Sequence, residues 1–475
     1  MGSESVPRPR TVTGVTGTVR ELSEFQAALS FRLANTFRIP HSYSTMTRAL
    51  SVALLLVSYV ATACTSAAES SIQAEISDSA GLKIVHNRTP RWTEDQRWVV
   101  PPDPVVAIGV LNGPEEYQLV DVADAARRSD GSVVVVDRGA QTVRLYDPQG
   151  TFQKILGGPG AGPGEFTDPV SVLIIAGDTV IVWDQALLRV TRFGPQGDLT
   201  AVQTVDWGKL ASRLGLEMMS KGSGSGGKGP GVSSSLFPGS MEPLGHGGFL
   251  TRLVEKAGAN PPTGSHRPRG GALRVSEDLS VIDTLMFFGD TEQVSVDAPW
   301  GPFSVTPPGA KQTRIAHRGN PPRICIGDQE ESEIRCFAPD GGRSAFRWVS
   351  EPVLLTEYDV AAWREETVRL FDLKLSRDQV LEMLDQVPVP EVRPTYSQIL
   401  LDPMGNLWVE RGPTGGMSGT STDFLVFDSW GILLGLVTLP PVQVMDIGLD
   451  YVLGVYEDEL EIQYVRIHEL RKPFN

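Results

Sequence analysis

The sequence predicts an all-β fold built from one repeated hairpin, and three observations carry that expectation. The stretch VVVVDRGAQTVRLYDPQG (133–150) reads as an apolar strand, a polar turn, an alternating strand and a tight Pro-Gln-Gly turn. Anchored on Asp137, it places Tyr146 nine and Gly150 thirteen residues later. The same offsets recur without a gap in VIVWDQALLRVTRFGPQG (Asp184, Phe193, Gly197) and in ICIGDQEESEIRCFAPDG (Asp328, Phe337, Gly341). Asp137 and Asp184 lie 47 residues apart, the length of a four-stranded propeller blade. Looser copies surround Glu410 and Phe427, fill 451–470, and pair Phe249–Val254 with Ala272–Val275. Six such sheets closed into a ring leave no long unpaired edge. The expected architecture is therefore a six-bladed β-propeller over residues 81–475, with a small helical insertion and an N-terminal strand that closes the last blade.

In chain order, residues 65–80 are polar and Ser/Ala-rich and read as a tether. Gly81–Asn87 (GLKIVHN) reads as a lone strand, and it is the expected partner of the final repeat, which has sequence for only three strands of its own. Trp92 and Trp98 are expected on the outside of the ring. Blade one spans 117–156 and blade two 166–205. The Gly/Ser-rich stretch inside 209–245 cannot bury enough apolar area to order itself, so a flexible loop is expected there, with a ligand-closing lid as the sharper alternative. Blade three is the least regular and carries a second long loop, 256–271. Between blades four and five, 356–387 reads as two helices. Thr356 caps the first, with Asp359 in its opening turn and Val360, Trp363, Val368 and Leu370 as its apolar face. Ser376 caps Arg377–Leu384, with Val380, Leu381 and Leu384 inward. Packing on the rim is expected of this pair, ahead of a gating role.

Composition bears on address and partners. Met46-Thr47-Arg48 followed by Ala49–Ala63 reads as a basic segment and an apolar segment too short to span a bilayer, ending at Cys64. Ala61-Thr62-Ala63-Cys64 resembles a bacterial lipobox, which implies acylation of Cys64; the departure is Ala61, where that pattern favours Leu, and it leaves cleavage before an ordinary residue open. Residues 1–45 lack periodicity and are expected to be a mis-called start, with Met46 as initiator. Without the six Arg and three Glu of residues 1–48, 36 basic stand against 54 acidic residues, a net charge of −18. That balance disfavours nucleic acid and leaves lipid, not charge, as the means of membrane attachment. Cys325 and Cys336 sit symmetrically on the two strands of one hairpin, so a disulfide is expected in an oxidising compartment, with two buried thiols as the alternative.

The wording of the repeat, together with GGPGAGPGEF (Gly157–Phe166) after the second strand, resembles NHL-type propellers, and the chain from Gly81 to Leu470 is similar to six-bladed propeller lipoproteins of environmental bacteria. The resemblance implies fold more than function, since such rings serve as recognition domains, lyases, lactonases and plain binders.

Within the chain, chemistry is sparse. The acids Asp137, Asp184 and Asp328 end strands before turns, where a carboxylate ordinarily accepts backbone N–H groups, so a repeated structural duty is expected of them. His317, beside Arg318, is the histidine with the best case for function, against a plain surface role; no HxxxH, CxxC or GxSxG in a convincing context occurs. Leu187 and Leu188 are unusual in a turn and read equally as ligand contacts or as packing. The funnel on the face of the hairpin turns is the default ligand site, and Arg138, Asp168, Tyr396 and Arg411 are the candidate contacts. The expected function is an exported, monomeric, lipid-anchored protein of the periplasm or cell surface that binds a peptide, protein or small molecule without catalysis or an obligate cofactor. The rival is a propeller enzyme like the gluconolactonases or lyases, in which Asp168 and Glu410 would help hold a divalent metal. A scaffold in an envelope complex, docking through the helical insertion, is the third reading.

Overall fold

A computed structural model describes residues 73–206, 208–210, 236–244, 248–255, 263–298, 301–371, 375–412 and 421–473. The expected start at Met46, the expected leader, Cys64 and most of the 209–245 insertion lie outside the described residues. Chain contacts separate residues 1–71 from a second unit, 72–475, to which all the described residues belong.

Why the chain forms blades is visible in its second strands. Val133, Val134, Val135 and Val136 are all fully buried, which a strand with one wet face would not allow. Successive side chains point to opposite faces of the sheet, and here both faces are covered. Val133 and Val135 enter a core shared with Ile108, Leu453 and Val465, whereas Val134 and Val136 enter one shared with Val180, Val182 and Phe193. The pattern repeats in Val180–Trp183 and in Leu407–Val409.

Six blade sheets result among the described residues, five of four strands and one, blade four, extended to six. Their innermost strands are Val122–Arg127, Pro169–Ile175, Leu236–Pro243, Arg314–Arg318, Ile399–Leu401 and Gln443–Ile447. Each gap between successive blades holds its own apolar core, and the sixth core joins blade six back to blade one. The ring is closed.

Closure uses a different strand from the one expected. Val106–Ile108 pairs antiparallel with Gln463–Glu469 as the outer strand of blade six. Leu82–Asn87 lies elsewhere, parallel to Arg343–Trp348 on blade four, and Ala74–Ser79, within the expected tether, forms a hairpin with it. Blade four thereby becomes a six-stranded sheet. Asn87 fastens the addition: its side-chain amide donates to the carbonyls of Arg347 and Gly431 and its oxygen accepts the Leu433 N–H. A second correction concerns blade three, whose innermost strand, Leu236–Pro243, falls inside the stretch expected to be a flexible insertion. Cys325 and Cys336 face each other across blade four and are bonded, both buried.

The helical insertion forms as two capped helices, α1 (Glu357–Phe371) and α2 (Arg377–Leu384). Leu370 is exposed, and Phe371 packs in its place. The helices are not alone. Gly264–His266 from the blade-three loop and Gln293–Ala298 with Gly301–Val305 from the link to blade four form a three-stranded sheet. Val294, Val296, Val305, Val368, Val380 and Leu384 close a separate core between sheet and helices. Three segments far apart in sequence thus build one small α/β layer. All three leave the ring at the end where inner strands begin, the entry end.

Candidate functional site

The hairpin turns that join second to third strands also lie at the entry end, so the anchoring acids gather there. Asp137 accepts the backbone N–H groups of Val120, Asp121 and Ala140 at 3.2, 3.1 and 3.0 Å. Asp184 accepts those of Thr167, Asp168 and Leu187, at the same sequence offsets. Each acid staples the start of its blade to its own hairpin turn, the structural duty expected from the repeat. In blade four the duty passes to Gln329, whose side chain accepts the Gln312 N–H at 2.5 Å, and in blade five Glu410 accepts the Ser397 hydroxyl at 2.7 Å.

The four candidate contacts are also at this end. Arg138 is ion-paired with Asp121 at 2.7 Å, and the field of Asp168 reaches it from the next blade. Tyr396 is 1% exposed, packs on Trp348, and accepts the Gln329 N–H on its phenol oxygen. It is a packing residue. Arg411 ends its strand in solvent. None of the four lines the cavity on the ring axis, and neither Leu187 nor Leu188 does. Leu188 instead packs into the core between blades two and three.

That cavity, about 590 Å³, lies on the ring axis and opens at the opposite, exit end, among the C-terminal halves of the inner strands. Every blade contributes to it. Its polar side chains include Asp124 from blade one, Glu242 from blade three, His317 and Arg318 from blade four, and Asp446 from blade six, with Arg127 and Asp178 towards the mouth. Val172, Ile174, Leu400 and Met445 supply apolar wall. Blades one and six carry a register shift in the inner strand, between Val122 and Asp124 and between Val444 and Asp446. A bulge re-aims the side chain that follows it, and in both strands that side chain is the axial carboxylate.

The polar groups are held in pairs. His317 Nε2 lies 2.9 Å from a Glu242 oxygen. Arg318 donates to Asp446 at 2.6 Å and to the Leu401 carbonyl at 3.2 Å. Tyr451 donates its phenolic hydrogen to the second Asp446 oxygen at 2.5 Å, and burial pushes that phenol well above its usual range. Asp124 differs. It accepts the N–H groups of Ala125 and, across the blade boundary, Val172, both at 2.8 Å. Burial pushes its carboxyl up to about 7; the two N–H groups oppose this, and the negative fields of Asp446 and Glu242 add to it. No three His, Cys, Asp or Glu side chains among the described residues converge as a metal site.

The sequence leaves His317, beside Arg318, between a functional and a surface role, and the structure puts both residues in the cavity wall. Asp124, Glu242 and Asp446 are missing from the candidates drawn from sequence. Their signal is a charge inside an otherwise apolar inner strand, as in VADAAR and QVMDI.

No protein-family model and no curated protein matches the chain. Among solved structures it is similar to a member of the DUF4221 family from Bacteroides vulgatus, with TM-score 0.43 and 8% identity over 80% of this chain and 100% of that one. It is also similar to the virginiamycin B lyase of Staphylococcus aureus (TM-score 0.36, 10% identity, 78% and 99% covered). A gluconolactonase of Xanthomonas campestris gives TM-score 0.32 and 13% identity, with 79% and 100% covered. The six-bladed ring itself is established by the strand pairing and the six inter-blade cores, independently of these likenesses.

Proposed function

We propose that the chain is an exported binding protein that takes a small polar molecule into the axial cavity at the exit end. The observation that carries this reading is the cavity: about 590 Å³, walled by all six blades, with placed polar and charged groups set among apolar ones. Ligand sites have this size and this mixture. The leader-like segment before Cys64 supports export, and the acidic balance of the chain speaks against nucleic acid. The binding role expected from sequence is kept, and its place moves from the face of Arg138, Asp168, Tyr396 and Arg411 to the other end of the axis.

A catalytic reading of the same cavity has one observation in its favour. A carboxyl with its midpoint near 7 beside a His–Glu pair suits proton transfer. Turnover of a lactone or ester panel by the full chain, lost in Asp124→Asn, would replace the binding reading with this one.

The test is a thermal-unfolding screen of the full chain against small polar compounds, repeated with Ser171→Phe, which fills the cavity from blade two, and with Arg138→Ala at the entry end. Shifts that vanish only in Ser171→Phe support the axial site. Shifts that vanish only in Arg138→Ala overturn it.

A further inference from the structure

We propose that the ligand of the axial cavity is an organic cation, an amine or quaternary ammonium whose charge rests against Asp124. This inference builds on the reading of the cavity as the ligand site.

The cavity's charges decide the sign. Its acids are Asp124, Asp178, Glu242 and Asp446, and its permanent cations are Arg127 and Arg318. Arg318 is committed to Asp446, and Arg127 lies 3.6 Å from Asp450 and over the Tyr451 ring. An anionic ligand would therefore meet no uncommitted guanidinium. On the acid side, Glu242 has His317, Asp446 has Arg318 and Tyr451, and Asp178 holds the N–H and hydroxyl of Ser129 at 2.8 and 2.6 Å. Asp124 has two backbone N–H groups and, among the described residues, no cationic partner.

A carboxylate in that position lacks a counter-charge. Burial favours its protonated form, and the fields of Asp446 and Glu242, which face it from other elements, add to this. A bound cation reverses this balance: it attracts the ionised carboxylate and displaces the proton. The cation is organic, because the carboxylates are spread over separate blades without a converging set of metal ligands among the described residues, while Val172, Leu400 and Met445 offer contact to a hydrocarbon body.

Isothermal titration of the full chain with benzyltrimethylammonium, benzyl alcohol and benzoate tests the proposal. At about pH 8 the cation is expected to bind at least about tenfold more tightly than the alcohol, and benzoate more weakly than either. Asp124→Asn should erase the tenfold advantage and leave the alcohol unchanged. Should that variant fail to fold, the wild-type chain still decides. Benzyltrimethylammonium carries no titratable proton, so its binding should release protons from the protein near pH 7 and tighten between about pH 6 and pH 8. His317→Gln, which should retain that release, assigns the proton to Asp124.

Equal affinity for cation and alcohol, a preference for benzoate, or no cation binding at millimolar concentration overturns the proposal. If neutral or anionic compounds bind and Ser171→Phe abolishes their binding, the axial site stands and only the cation falls. Binding that survives Ser171→Phe removes the site as well.

Discussion

Asp124 makes a prediction about folding that needs no ligand. Burial pushes its carboxyl up to about 7 in the folded chain, from 3.8 for an unperturbed aspartate. A carboxyl with a raised midpoint binds more protons in the folded state than in the unfolded one. Its contribution to stability is fully present below about pH 4 and is lost as pH rises through about 7. At about 1.4 kcal/mol per pH unit, the gap corresponds to about 4 kcal/mol. Other carboxylates pull the opposite way: the Arg335 and Arg347 partners of Glu333, and the Lys311 and Arg267 partners of Glu330, hold those groups below their usual range and outweigh the cost of their burial. A comparison of wild type with Asp124→Asn cancels these shared terms. The substitution also weakens one of the two N–H bonds, an offset of about 1–3 kcal/mol that does not vary with pH. Guanidinium unfolding followed by tryptophan fluorescence, at intervals from about pH 4.5 to pH 8, should show wild type losing about 3 kcal/mol relative to the variant across that range. Parallel pH profiles for the two proteins would refute the assignment of a desolvated carboxyl without a cationic partner at this position.

Three further outcomes are expected. Asp137→Ala strands three backbone N–H groups and the buried Arg144 guanidinium 3.4 Å away; a loss of about 3–5 kcal/mol in chemical unfolding is expected, and a loss under about 1 kcal/mol would contradict the staple. Replacing Cys325 and Cys336 together by Ser opens a loop of 11 residues and should cost about 2–3 kcal/mol, with reduction by dithiothreitol giving the same loss. Cys64→Ala should abolish incorporation of radiolabelled palmitate in a bacterial host; label retained in that variant would end the lipid-anchor reading.

How much is legible in the sequence depends on the physics of each element. The second strands of the blades are buried on both faces over most of their length, so their apolar runs and the turn chemistry that follows them stand out in one dimension. Capped helices announce themselves in the same way through Thr356 and Ser376. The misread elements lack such patterns. Leu236–Pro243 (LFPGSMEP) holds two prolines and a glycine beside a Gly/Ser tract, and only closure of the ring makes it a strand. Val106–Ile108 is three residues long. Ala74–Ser79 is polar because it is an outer edge with little to bury. The α/β layer at the entry end is assembled from three separated segments, and adjacency of that kind has no local signature. The site is hidden for a related reason. Conspicuous acids such as Asp137 and Asp184 repeat because they staple a blade's start to its own hairpin turn, whereas Asp124, Glu242 and Asp446 each appear once and become a set only when the ring brings six inner strands to one axis.

A crystal structure of the chain grown with benzyltrimethylammonium bears most directly on the axial site. Density is expected on the ring axis at the exit end, with the ammonium group against Asp124 and the ring among Val172, Leu400 and Met445. A ligand seated at the entry end between Arg138 and Asp168, with the axial cavity empty, would contradict it.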